Sequence, residues 1–325
     1  MIINKPVCFC TFVFMTLLCK EALFASNWTA PRENAPTLKM GIVGSSFSLD
    51  IEDPDGKSKP PIQFRPNTMG RIAIGMEYLG AGLTIGFTQD STQENQTRYG
   101  KTTGIDYQFR FLREENSFDL FYQKYSGFYI ANSKDIDSTI QGNDPLIQRA
   151  DLHSEHLGLQ YYRTLNPENL SLAACFDQSG WQKESGGSWF LYSAFDQHHI
   201  DSESSLIPSQ VSSSYSSIQE FQGGNFTSAK LGFGGAYVFV YNHFYVAGKL
   251  IIAGGQQKQS YSLGTENINR IIPTAGGNAK ISFGYNGDSF FSSFNLFNDT
   301  TDITLRDRRL RLGTLELSLF LGLHL

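Results

Sequence analysis

Hydrolytic chemistry at a serine needs a histidine within hydrogen-bond reach and an acid behind it. The chain has six histidines, among them His153 and His156, three apart, and His198 and His199, adjacent. On a strand, a spacing of three puts two side chains on opposite faces, so neither pair is expected to share a metal. Serines are abundant, but no G-x-S-x-G element occurs and spacing selects no triad. The glycine-rich pieces LGFGGAY and AGGQQ lack the lysine and the strand-to-helix context of a phosphate-cradling loop. Glycines inside strands more often mark bends or close packing in a curved wall. The expectation is therefore no catalytic group, no metal and no cofactor.

Charged and amide residues set among apolar ones are more informative. Asp106, Gln108, Arg110, Asp119, Gln123, Gln160, Lys230, Lys249, Lys280 and Glu316 each fall out of phase with apolar neighbours. A basic side chain facing lipid near a bilayer midplane costs roughly 2–4 kcal/mol, so these ten are expected to face the lumen of a barrel. There they would either line a polar pore or pair with one another and plug a narrow one. Lys124, between Tyr122 and Ser126, is expected at the membrane interface, where its stem can snorkel. The cluster Arg306, Asp307, Arg308, Arg309 and Arg311 reads either as a rim binding anionic lipid headgroups or as a solvated loop.

The elements that would position these groups are strands. Ile105, Tyr107, Phe109 and Phe111 alternate with Asp106, Gln108 and Arg110, and the leucines from Leu315 to Leu325 alternate with residues such as Glu316 and Ser318. This pattern predicts strands at 38–49, 68–79, 82–88, 101–112, 117–130, 153–164, 169–176, 225–241, 243–255, 275–286, 289–301 and 309–325. Tight connections (Gly80-Ala81, 113–116, 165–168, Asn242, Gly287) alternate with longer ones at 50–67, 89–100, 131–152, 256–274 and 302–308. The alternation fails at 177–224, where the aromatic segment Trp189 to Phe195 precedes a serine-rich stretch. Reading all of 177–224 as a long loop with an extra hairpin gives about twelve strands, an even count as single-chain bacterial barrels have; ten and fourteen are the alternatives. The fold class is thus all-β: a transmembrane antiparallel up-and-down β-barrel over 38–325, with long external loops at 131–152 and 177–224.

Composition agrees. Aromatics make up 14% and charged residues only 18%, with 31 glycines, which suits side chains that alternate between lipid and water. A formal charge of −5 opposes a nucleic-acid partner, which needs a concentrated basic surface. Lys5 followed by an apolar run from Val7 to Cys19, with Ala25 before Ser26, predicts a signal peptide over 1–25 and a short segment at 26–37 ahead of the barrel. Three of the four cysteines would leave with that signal, and Cys175 would remain alone.

Several stretches resemble an uncharacterised family of outer-membrane barrels, domain of unknown function 4421. They are Phe64-Arg65-Pro66-Asn67-Thr68 leading into RIAIGMEYLGAGLTIGF, then IDYQFRFL, FDLFYQKYSGFYI, YVFVYNHFYVAGK and FGYNGDSFFSSF. They run in the family's order from about residue 40 to the C-terminus. The resemblance implies location and architecture, and leaves activity open. The expected role is a structural or surface-interaction barrel of the bacterial outer membrane with a narrow polar lumen. A small-solute channel or porin is the first alternative and a lipid-modifying hydrolase the second. The expected partners are outer-membrane lipid, the barrel-insertion machinery during biogenesis, and a surface partner or small solute of unspecified kind.

Overall fold

The structure, a computed structural model, describes residues 29–31, 36–53, 60–68, 70–89 and 91–325; the expected signal peptide lies outside them. In chain order the strands are β1 (Thr29–Pro31), β2 (Thr37–Glu52), β3 (Ile62–Arg65), β4 (Arg71–Tyr78), β5 (Ala81–Thr88), β6 (Thr103–Leu112), β7 (Asn116–Ile130) and β8 (Gln148–Thr164). They continue as β9 (Gly180–Gln182), β10 (Gly186–Asp201), β11 (Phe221–Tyr241), β12 (Phe244–Leu263), β13 (Glu266–Asn286), β14 (Phe290–Leu305) and β15 (Arg308–His324). Short helices α1 (Gln93–Tyr99), α2 (Ser133–Ile136) and α3 (Leu172–Phe176) and a 3₁₀ segment, Ser209–Ile218, interrupt them.

The main sheet has 13 strands and closes on itself, because β15 pairs antiparallel with β2 from Arg309↔Glu52 to His324↔Thr37. Setting aside the four-residue β3, the wall is a ring of twelve. Closure leaves no edge with unpaired backbone groups, which is what makes a sheet tolerable in lipid. β3 joins β2 to β7 above the ends of the shorter β4, β5 and β6, so the ring narrows from twelve strands to ten at that end. Asn67 locks the junction: its side-chain amide donates to the Gly100 carbonyl at 2.7 Å and to Ser91 Oγ at 2.9 Å. This gives a physical task to the Asn of the Phe64-Arg65-Pro66-Asn67-Thr68 stretch.

The start of β2 and the end of β15 lie at the same end of the ring, where Leu325 N donates to Pro36 O at 3.0 Å. There β4–β5, β6–β7, β11–β12 and β13–β14 are joined by tight turns; at Leu79 and Gly80 both φ angles are positive, as a two-residue hairpin requires. The opposite end carries 131–147 and 202–220.

Along β2 and β15 the hydrophobic phase inverts partway up. On β15 the outward residues Leu315, Leu317, Leu319, Leu321 and Leu323 are all exposed, whereas farther up Arg309 and Arg311 hold the outward positions. Inward, Glu316 and Ser318 give way to Leu310 and Leu312, which are 0% and 3% exposed. β2 repeats this: Leu38, Met40 and Ile42 face out beside inward Lys39, then Ser48, Asp50 and Glu52 beside inward Phe47, Leu49 and Ile51. The lower half is thus apolar outside and polar inside, and the upper half is the reverse. Nine residues at about 3.3 Å each span roughly 30 Å along a tilted strand, close to the height of a membrane band of about 25 Å. Exposed Tyr78, Trp189, Tyr241, Phe244 and Phe290 ring its lower edge as an aromatic girdle.

Four expectations need correction. Residues 169–176 are not a wall strand: Ser171 caps α3 by accepting from Ala174 N at 3.1 Å, and Leu172, Ala174, Cys175 and Phe176 are buried inside the ring. The expected loop 177–224 instead contains a full wall strand, β10, paired with β8 and β11 over most of its length. Its alternation is hidden because Phe190, Tyr192 and Ala194 face an apolar cluster inside, while Trp189, Leu191 and Phe195 face out. The twelve-strand count therefore rested on one false strand and one missed strand. The segment 165–168 is no tight turn either. It opens a plug, 165–185, that enters the ring from the short-turn end and pairs β9 with β1. Finally, 256–274 and 302–308 are mostly strand, turning at 264–265 and 306–307, because β12 to β15 rise beyond the apolar band.

With the short-turn end on the periplasmic side, an epitope placed in Ser209–Ile218 should be labelled on intact cells and one at 242–243 should not. The reverse labelling would invert the topology.

Candidate functional site

The lumen is filled in three tiers. At the loop end, inward Phe47, Leu49, Ile51, Phe64, Phe128, Ile303, Leu310 and Leu312 close around Leu206, Ile207, Tyr215 and Ile218 from 202–220. Tyr215 donates to Pro60 O at 2.9 Å, and Arg149 donates to Ser204 O and Ser205 O at 3.0 and 2.7 Å, tying that loop down. At the short-turn end, Leu170, Leu172, Cys175 and Phe176 of the plug pack on Tyr162, Phe190, Tyr192, Val238, Tyr245 and Ile251.

A charged tier fills the rest of the bore and reaches the short-turn end beside the plug on the β2–β6 side. Lys39 Nζ sits 2.6 Å from Glu77 Oε1 and 2.9 Å from Asp177 Oδ1, and Arg110 Nη1 is 2.5 Å from the same Asp177 oxygen. One plug carboxylate thus ties β2 to β6. Arg110 also approaches Asp119 at 3.4 Å. Arg71 pairs with Asp106 and, at 2.8 Å, with Glu316, while Gln123 donates to Asp106 at 3.0 Å. Lys230 is 2.9 Å from Asp196, which also meets His156 Nε2 at 3.4 Å; His156 stacks on His198 with ring centroids 3.8 Å apart. A chamber of ≈ 110 Å³ remains among these groups, enough for several water molecules. Such pairing offsets the cost of taking charge out of water, and it leaves long side chains crossing the bore.

The structure places all ten sequence-predicted lumen residues on the inner face. Asp106, Gln108, Arg110, Asp119, Gln123 and Glu316 meet on the β6–β7–β15 side, with Lys249 and Lys280 across the chamber, while Gln160 accepts from Tyr162 Oη at 2.6 Å and Lys230 belongs to the Asp196 group. Lys124 faces out and pairs with Glu155 at 2.5 Å.

The four rim arginines turn to protein acids. Arg306 pairs with Glu266, and Arg308 with Asp53 at 3.0 Å; Arg309 and Arg311 reach Glu52 at 3.5 and 3.2 Å and also Asp302. Beside them the Ser217 hydroxyl, bonded to Asp307, holds that carboxyl below its usual range.

Sequence reading missed Lys39, Arg71 and Glu77, although each sits in the readable phase between outward apolar residues. Asp196 is hidden because β10 carries aromatics on both faces and so reads as loop, and Asp177 because nothing local marks a plug. His156 and His198 come together through strand pairing that spacing along the chain does not reveal. The described residues contain no group of three or more His, Cys, Asp or Glu placed to hold a metal. On the outer face, His153 Nδ1 lies 2.9 Å from Ser126 Oγ, with Asp201 in register across β10. No hydrogen bond joins Asp201 to the imidazole among the described residues, so the three do not form a relay.

Solved barrels resemble this chain only distantly. Outer-membrane protease OmpT from Escherichia coli has a TM-score of 0.37 at 6% identity, covering 93% of this chain and 100% of that one. The P. putida toluene transporter TodX gives 0.29 at 7%, covering 90% of each. The attachment invasion locus protein Ail of Yersinia pestis gives 0.26 at 9%, covering 89% and 97%. Likeness this remote carries no functional argument. A search of the curated proteins gives no match. A family model does match nearly the whole chain, over residues 26–322, and the protein therefore belongs to the family described as domain of unknown function DUF4421.

Proposed function

We propose that this protein is a bacterial outer-membrane barrel, exported by a cleaved signal peptide and closed at rest. It acts through its protruding upper ring on outer-membrane lipid or a surface partner, with no catalytic role. Its contact with the barrel-insertion machinery is confined to biogenesis. The observation that carries this reading is the apolar cluster that closes the loop end together with the plug that occupies the short-turn end, held there by its own apolar contacts and by Asp177. A porin needs a continuous aqueous path, and here the loop-end cluster and the plug both stand in it. The outward apolar band and aromatic girdle support the membrane assignment.

The reading is tested by inserting purified full-length protein into planar bilayers. The expected result is no steady wild-type conductance; a large, stable conductance would move the protein to the channel class.

A further inference from the structure

Lys249 on β12 and Lys280 on β13 stand directly opposite each other in the antiparallel register, both facing inward. Directly opposed residues have Cβ atoms about 4.5–5.5 Å apart, and like charges there repel. Elsewhere in this tier the cations have carboxylate partners: Lys39, Arg71, Arg110 and Lys230 each have one within ion-pair distance. These two have none among the described residues. Lys249 Nζ meets Tyr162 Oη at 3.2 Å and lies over the Tyr162 ring at 4.3 Å. Lys280 Nζ donates to the Phe176 carbonyl at 3.4 Å and lies over the Phe176 ring at 5.3 Å. Hydroxyl, carbonyl and ring faces orient an ammonium group without neutralising it. Both lysines line the chamber, and so do Phe47, Phe121, Phe176 and Phe297.

We propose that this lysine pair is the binding site for a small organic monocarboxylate with an apolar body. Its carboxylate bridges the two ammonium groups and its body lies against the phenylalanine rings. Two lysines rooted on directly paired positions present both donors to one chamber, where they can share the two oxygens of one carboxylate, and the bound charge relieves the repulsion between them. Asp299 faces the same chamber without an ion-pair partner among the described residues, so a second negative charge on the ligand would be repelled. The plug supplies one wall of the site through Phe176, so ligand occupancy and plug position are coupled. This inference is separate from the surface reading above: conductance tests that one, and ligand retention tests this one.

Benzoate labelled with ¹³C at its carboxyl is the probe. Full-length protein is refolded from denaturant into detergent micelles with benzoate present, so that loading does not depend on the plug opening. Binding is then read by NMR, with folding checked by the gel shift between unboiled and boiled samples. Folded wild type should bind benzoate in competition with unlabelled benzoate and should not bind benzylamine. Lys249→Met and Lys280→Met should each weaken binding about tenfold or more, the loss expected for one charged hydrogen bond. Lys258→Met, on β12 but outside the chamber, should bind as wild type. If a methionine variant fails to fold, Lys280→Gln keeps a polar donor on a side chain one atom shorter while removing the charge, and should show the same loss. Equal binding by the folded lysine variants, equal uptake of benzylamine, or no binding to folded wild type would each overturn the proposal.

Discussion

Asp177→Ala should destabilise the barrel by about 3 kcal/mol, the low end of the range for breaking a buried ion pair by removing one partner. Asp177 is 1% exposed and is the one plug carboxylate shared by Lys39 and Arg110. Without it, both cations keep a wall partner, Glu77 and Asp119, but the plug loses its electrostatic tie to β2 and β6. Two effects follow, and they are read separately. Urea unfolding in lipid vesicles should show the lost stability, and bilayer recordings should show transient openings absent from wild type. Loss of stability without openings would mean that the plug's apolar contacts with β8, β10, β11 and β12 hold it unaided. A change below about 1 kcal/mol, the level of an exposed pair, would show that Asp177 is solvated.

The second large effect separates lipid from water outside the wall. Leu317 is 46% exposed, and on a soluble barrel Leu317→Lys would be close to neutral. In a bilayer the same substitution near the midplane should cost about 2–4 kcal/mol. Gln256→Lys, also outward but above the apolar stretch of β12, should cost about 0–1 kcal/mol. Unfolding free energies in vesicles decide the matter: equal small effects at both positions would place the wall in water.

The fold was legible wherever one face met lipid and the other met polar groups. β6 and β15 are the clearest instances, and their lumenal residues Asp106, Arg110 and Glu316 followed from phase alone. Legibility failed where the inside is also apolar. β10 packs aromatics on both faces, so period-two contrast vanishes, and α3 is a short apolar run that periodicity cannot separate from a strand. Above the membrane band β12 is polar on both faces, with Gln257 and Gln259 buried inside and Gln256 and Lys258 exposed outside, so the contrast that marks a strand is lost where β12 continues and β13 begins. The jump from Leu310 and Leu312 to Leu315 and Leu317 marks that boundary in the sequence itself. The sites at Asp177 and at the His156–His198 stack depend on which segments meet in space, and no local pattern encodes that.

The seam between β2 and β15 carries a consequence for the order in which the molecule is made. The first wall strand to leave the secretion apparatus is zipped to the last, so the ring stays an open sheet until the final residues arrive. The plug, lying between β8 and β10, has been delivered long before. It is available to seat while the sheet is still open, and once seated it and the loop 202–220 block the bore from both ends. Contacts joining the two extremes of a chain form slowly, because loop-closure entropy opposes them. A nascent barrel of this kind therefore has a long-lived half-built stage with two unsatisfied backbone edges, and during it a chaperoning template for those edges decides between assembly and aggregation.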